Sequence, residues 1–204
     1  MKQHDVELPK IGRPRNFDVD DALKKAMLLF WEHGFETTSM TLLSKHMGMN
    51  APSIYAAFGD KKSLFLKALD LYVGRLDDIE AFFNSSSTAF DAADQMLKQA
   101  AIRFTGRSTP NGCLLASATA SGSPEACDVQ MVATKIRMKI ESLLKNRIET
   151  DLKIKLLPKS TSAEGLAGLT MATMQGMSVL ARDGASRKKI LLIAQTAMSA
   201  WRSS

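Results

Sequence analysis

Residues 48–61 read GMNAPSIYAAFGDK. Gly48 and Gly59 bound a stretch that suits a helix of about two turns. Pro52 fits its first turn, where a missing N–H costs nothing. Ile54 and Phe58, four apart, are enough to pin such a helix to its own domain. The rest offers a core almost nothing. Asn50, Ala51, Pro52, Ser53, Tyr55, Ala56 and Ala57 are left for a partner, and their small size lets the backbone come close to a duplex. An alanine methyl can meet a thymine methyl, and Ser53 can bond a base edge or a phosphate. The Tyr55 hydroxyl and Lys61, at the start of the next helix, can reach phosphates.

The neighbouring residues agree with that use. A helix is predicted from about Ser39 to Met47, with Met40, Leu43 and Met47 on one side and Gly48 as its end. Helix, glycine, short helix is the layout of a helix-turn-helix; the alternative is a tight corner in a helical bundle. A longer helix is predicted to begin after Asp18. Asp18 can cap it, Asp20 and Asp21 suit its positive end, and Phe17 can staple to Ala22. Gly34 ends it. Before it, KIGRPR at 10–15 sets Lys10, Arg13 and Arg15 among Gly and Pro. These residues read as a basic arm able to enter a minor groove, or else as a solvated tail.

Beyond residue 61 the apolar spacing stays helical, and no alternating strand pattern appears. Helices are predicted over about 61–83, 88–105, 112–120, 124–157, 161–182 and 186–202, the fourth ending at Pro158. The fold class is all-α.

The run FDVDDALKKAMLLFWEHGFETTSMTLLSKHMGMNAPSIYAAFGDKKSLFLKAL carries Leu29-Phe30, Gly34, Thr37-Thr38, Gly48, Tyr55 to Phe58, and Lys61 with Leu64. In these marks it resembles the DNA-binding domain of the tetracycline-repressor (TetR) family. The resemblance implies a dimeric, all-helical transcriptional regulator, usually a repressor released from a palindromic operator by a small ligand. It places Thr38 and Thr41 near DNA at the start of the supporting helix. Many relatives carry an aromatic residue or histidine where this chain has Ala56-Ala57, which shifts the expectation toward methyl contacts and DNA shape. The implied organisation is a basic arm (1–16), a three-helix helix-turn-helix domain (17–60) and a larger helical domain for effector binding and dimerisation (61–204).

Within that larger domain, Leu166, Leu169, Thr173, Gly176 and Leu180 form one row. Ile190, Ala194, Ala197 and Trp201 form another. Two such hairpins from two subunits would make a four-helix homodimer interface, unless they pack within one subunit. For an effector pocket the candidates are Phe104, Cys113, Leu114, Met131, Met174 and Met177; methionine in particular adapts to varied apolar shapes. Cys113, near a helix start in NGCLL and close in sequence to Arg103 and Arg107, is a candidate reactive thiol; the plainer reading is a small buried hydrophobe.

The chain has 204 residues, 45% apolar, with net charge +6. It is long enough for a real core, and its basic balance favours polyanions. Charge is nearly even over residues 1–62, however, so net charge does not locate a DNA face. Three histidines without ligand spacing, and no catalytic triad or phosphate loop, argue against an enzyme, a metal site or a cofactor. No run is long enough to cross a bilayer, the start lacks an apolar signal core, and two cysteines make no disulfide framework. A cytoplasmic protein is expected. The competing readings are a thiol sensor of electrophiles or oxidants acting through Cys113, and an architectural DNA-binding protein without a ligand.

Overall fold

A computed structural model describes residues 18–118 and 123–201. Among these the chain forms ten helices and no strand: α1 (Val19–His33), α2 (Met40–Met47), α3 (Ala51–Phe58), α4 (Lys61–Val73), α5 (Leu76–Ser85), α6 (Ala89–Phe104), α7 (Leu114–Ser117), α8 (Pro124–Lys153), α9 (Ala163–Arg182) and α10 (Arg187–Ala200). Arg13, Arg15 and the Phe17 staple lie outside the described residues. None of the described helices is long and apolar enough to cross a membrane.

The N-terminal helices begin and end where local chemistry dictates. Asp18 accepts from the N–H groups of Asp20 and Asp21, and Ser39 from that of Leu42. Gly48 takes the left-handed conformation (φ 69°) that closes α2, which few other residues adopt without cost. Inside, Phe30 meets Phe65 edge-on at 4.9 Å, and Phe35 meets Phe65 at 5.3 Å. The helix-turn-helix is therefore built on α4 as well as α1. In the larger domain α8, α9 and α10 pack in sequence, and α6 closes against all three.

Two predicted helices end earlier than expected. The segment 61–83 is not one rod. Gly74 has φ 77°, its N–H closes α4 on the Asp70 carbonyl, and α5 starts afresh at Leu76. The apolar spacing runs on across this break, which hid it. The helix expected to reach Leu157 stops at Lys153, well before Pro158. Lys155 adopts φ 64°, and the Leu156 N–H returns to the Asp151 carbonyl at 2.9 Å, closing the helix with its own backbone.

A buried ion pair fixes the roof of the larger domain. Asp151 is 1% exposed. It accepts from Arg147 at 2.5 Å and from the Ala89 N–H, at the start of α6, at 2.6 Å. Arg147 also donates to the carbonyls of Ser86 and Ser87. The α5–α6 turn is thereby clamped onto α8.

Candidate nucleic-acid interface and effector cavity

The two-turn helix α3 has one face inward and one outward. Ile54 and Phe58 are buried, while Tyr55 is 51% exposed and Pro52, Ala56 and Ala57 lie open beside it. Ala51 and Ser53 are half-buried. The Asn50 side-chain oxygen accepts from the Ser53 N–H at 2.9 Å, so it caps the helix and leaves its amide N–H groups free to donate to a partner. Among the described residues nothing covers this face.

Around α3 the candidates divide. Thr41 is exposed. Thr38 is fully buried and its hydroxyl donates to the Gly34 carbonyl at 2.6 Å. Its side chain closes the end of α1 and is not presented to DNA, which corrects the expectation. Lys61 donates to the Glu36 carbonyl at 3.2 Å and lies 4.5 Å over the Phe35 ring. Partial burial pushes its pKa down, while Glu36 and Glu125 oppose the shift. Lys62 pairs with Asp128 of α8 at 2.9 Å, a hydrogen bond that raises its pKa.

The larger domain has a half-open cavity of about 440 Å³ lined by α4, α5, α6, α7, α8 and α9. Phe104, Cys113 and Met174 line it, together with Tyr72, Phe82 and Ile140. Three pocket candidates are elsewhere. Leu114 and Met177 are fully buried and point into the core; Leu115, one residue on, faces the cavity instead. Met131 is 57% exposed on the outer side of α8, because Val129, Ala133 and Leu144 take the inner side. Cys127 is exposed as well.

Cys113 has a built environment that the sequence did not disclose. The Tyr72 hydroxyl donates to its Sγ at 3.3 Å. The Arg103 guanidinium lies 3.8 Å over the Tyr72 ring, and Tyr72 meets Trp31 edge-on at 4.8 Å. Burial, reinforced by Cys113, keeps the Tyr72 phenol protonated well above its ordinary range, with Arg103 opposing. Arg137, also beside Cys113, donates to the Leu115 carbonyl at 2.8 Å. Burial pulls its pKa down, and Cys113 opposes that.

The dimer rows also divide. Leu166, Ile190, Ala194 and Trp201 are buried within the subunit. They hold α9 and α10 to their own bundle, so these four are corrected to core. Thr173, Leu180 and Ala197 are half-buried, while Leu169 and Gly176 are exposed. They share the open side of the hairpin with Ala172, Val179 and Leu192.

An all-helical chain in which two short helices meet at a glycine turn, the second with an open face of small residues around Tyr55, has the layout of a helix-turn-helix protein. Residues 22–68 match the model of the bacterial regulatory proteins of the tetR family. The HTH-type transcriptional repressor ComR of Escherichia coli (strain K12) is 34% identical over 193 residues, covering 93% of this chain and 91% of its own. The repressor BdcR of the same organism is 34% identical over 122 residues, covering 58% and 60%. A cysteine-substituted variant of the TetR family regulator CifR, solved in complex with 26 bp operator DNA, superposes with a TM-score of 0.85 at 33% identity, covering 93% of this chain and all of that one. The chain belongs to the TetR family. It is a DNA-binding transcriptional regulator, and the family is one of regulators rather than enzymes.

Proposed function

We propose that the chain is a repressor that binds a palindromic operator as a homodimer and leaves it when a small effector enters the cavity beside Cys113. The observation that carries this reading is the pairing of an open α3 face with a separate, mostly apolar cavity of about 440 Å³ in the other domain. A single two-turn helix gives little affinity. Two of them one helical turn of DNA apart, about 34 Å, read a palindrome. Leu169, Ala172, Gly176, Val179 and Leu192 supply an apolar, small-residue surface on α9 and α10 for the second copy. Selection of bound fragments from random-sequence DNA tests the reading. The outcome expected is an inverted repeat with half-sites about 10 bp apart, or a multiple of that; a consensus without dyad symmetry would overturn it.

A second reading is favoured by the Tyr72–Cys113 contact. The effector can be an electrophile that Cys113 captures. The sulfur forms a bond to an electrophilic carbon, and the thiol proton ends on the neighbouring carbon or oxygen of the adduct. Lys61 remains a proposed phosphate contact, from a position already braced by Phe35. With Cys127→Ser removing the exposed thiol, N-ethylmaleimide should release DNA from the protein and leave the further Cys113→Ser variant bound. Release from both would place the switch elsewhere.

A further inference from the structure

Three parts of the molecule are bonded together at one turn. The indole N–H of Trp31, on α1, donates to the Gly112 carbonyl at 3.1 Å. Arg182, the last residue of α9, donates from one guanidinium nitrogen to the carbonyls of Trp31, at 3.1 Å, and Cys113, at 3.4 Å. The Cys113 N–H donates to the Ser178 hydroxyl, also on α9, at 2.9 Å. The Gly112 N–H donates to the Phe104 carbonyl, at the end of α6, at 2.9 Å. The turn that delivers Cys113 to the cavity is thus tied to the first helix of the helix-turn-helix domain on one side and to the outer hairpin on the other.

The fit at this turn allows little slack. Gly112 has φ 80°, and a methyl group there would lie 2.7 Å from Arg182 Cγ and 2.9 Å from the Ser178 carbonyl. The Trp31 carbonyl lies in the last turn of α1, where carbonyls run out of helical donors. Arg182 reaches it from the other domain. If the turn shifts, Arg182 cannot keep both carbonyls, and the end of α1 loses either its indole bond or its cap. Trp31, Tyr72 and Cys113 also form one contact chain, from α1 through α4 to the cavity wall.

We propose that the Gly112–Cys113 turn is the joint that couples the cavity to the DNA-binding helices, through Trp31 and Arg182. This route does not need a rigid swing of residues 61–83, which Gly74 interrupts. Only its input rests on the cavity being the effector site; the link from turn to DNA is separate. Coupling is reciprocal: if the turn alters DNA affinity, DNA must alter the turn.

Amide hydrogen exchange of the full chain, with and without a selected operator duplex, reads that link directly. In the wild type, operator should slow exchange at Gly112 and Cys113 about fivefold or more. Trp31→Phe keeps an aromatic ring but has no N–H to donate. It should bind operator within about threefold of wild type, yet show no operator-dependent change at the turn. Arg182→Gln should behave alike and replaces it if thermal melts show Trp31→Phe to be unfolded. Equal exchange with and without operator in the wild type would overturn the proposal, and so would full protection in both variants. Failure of the effector reading would look different: no compound or maleimide would release DNA, while the turn would still respond to operator.

Discussion

A methyl group at residue 112 faces two obstacles: a backbone angle that side chains with a Cβ avoid, and the Arg182 side chain lying where the Cβ would sit. Gly112→Ala is therefore expected to cost about 1–3 kcal/mol in chemical unfolding. Wild-type stability would show that the turn yields easily and holds nothing in place. The same kind of argument separates Thr38 from Thr41. Both lie at the entry to the supporting helix, and family likeness treats them alike. A buried hydroxyl must find an acceptor, and Thr38 finds the one that α1 leaves open at Gly34. The inward and outward residues of α3 were legible because only Ile54 and Phe58 have the size and spacing to anchor it. The partners of the Gly112–Cys113 turn were not legible. Trp31, Tyr72, Ser178 and Arg182 come from three helices far apart in the chain, and no local pattern brings them together.

Several helix ends followed from short-range chemistry; those of α4 and α8, and some helix phases, did not. Asp18, Ser39, Ser123 and Gly34 act within a few residues, so their roles show in the sequence. The long helix α8 carries polar residues on more than one side, and its apolar positions do not select a single face. That is why Met131 was assigned inward while Val129 and Ala133 hold the core. The clamp at the far end of α8 was equally hidden, since Asp151 on a charged helix looks like any solvated acid. In the fold it is buried and accepts from both Arg147 and the first turn of α6. Removing one partner of a buried pair leaves the other charge uncompensated. Asp151→Ala is expected to lower unfolding free energy by about 3–5 kcal/mol, measured by urea titration. A loss below about 1 kcal/mol would mean that Arg147 finds water instead.

At the scale of the whole molecule, the proposed function requires two copies of α3 at a fixed spacing. The outer hairpin offers the surface for that: Leu192 is 61% and Val179 57% exposed, and Gly176 is exposed on the same helix as Val179. Leu192→Glu is expected to give a monomer in sedimentation and to weaken operator binding about a hundredfold or more, because each half-site alone binds poorly. A persistent dimer would place the interface elsewhere. The DNA face itself is tested most directly by titrating a labelled operator with wild type and Tyr55→Ala while following both by thermal melting. The open setting of Tyr55 leads to an affinity loss of about tenfold or more with Tm shifted by less than about 2 °C. Wild-type affinity in a normally folded Tyr55→Ala protein would contradict the claim that DNA covers this face of α3.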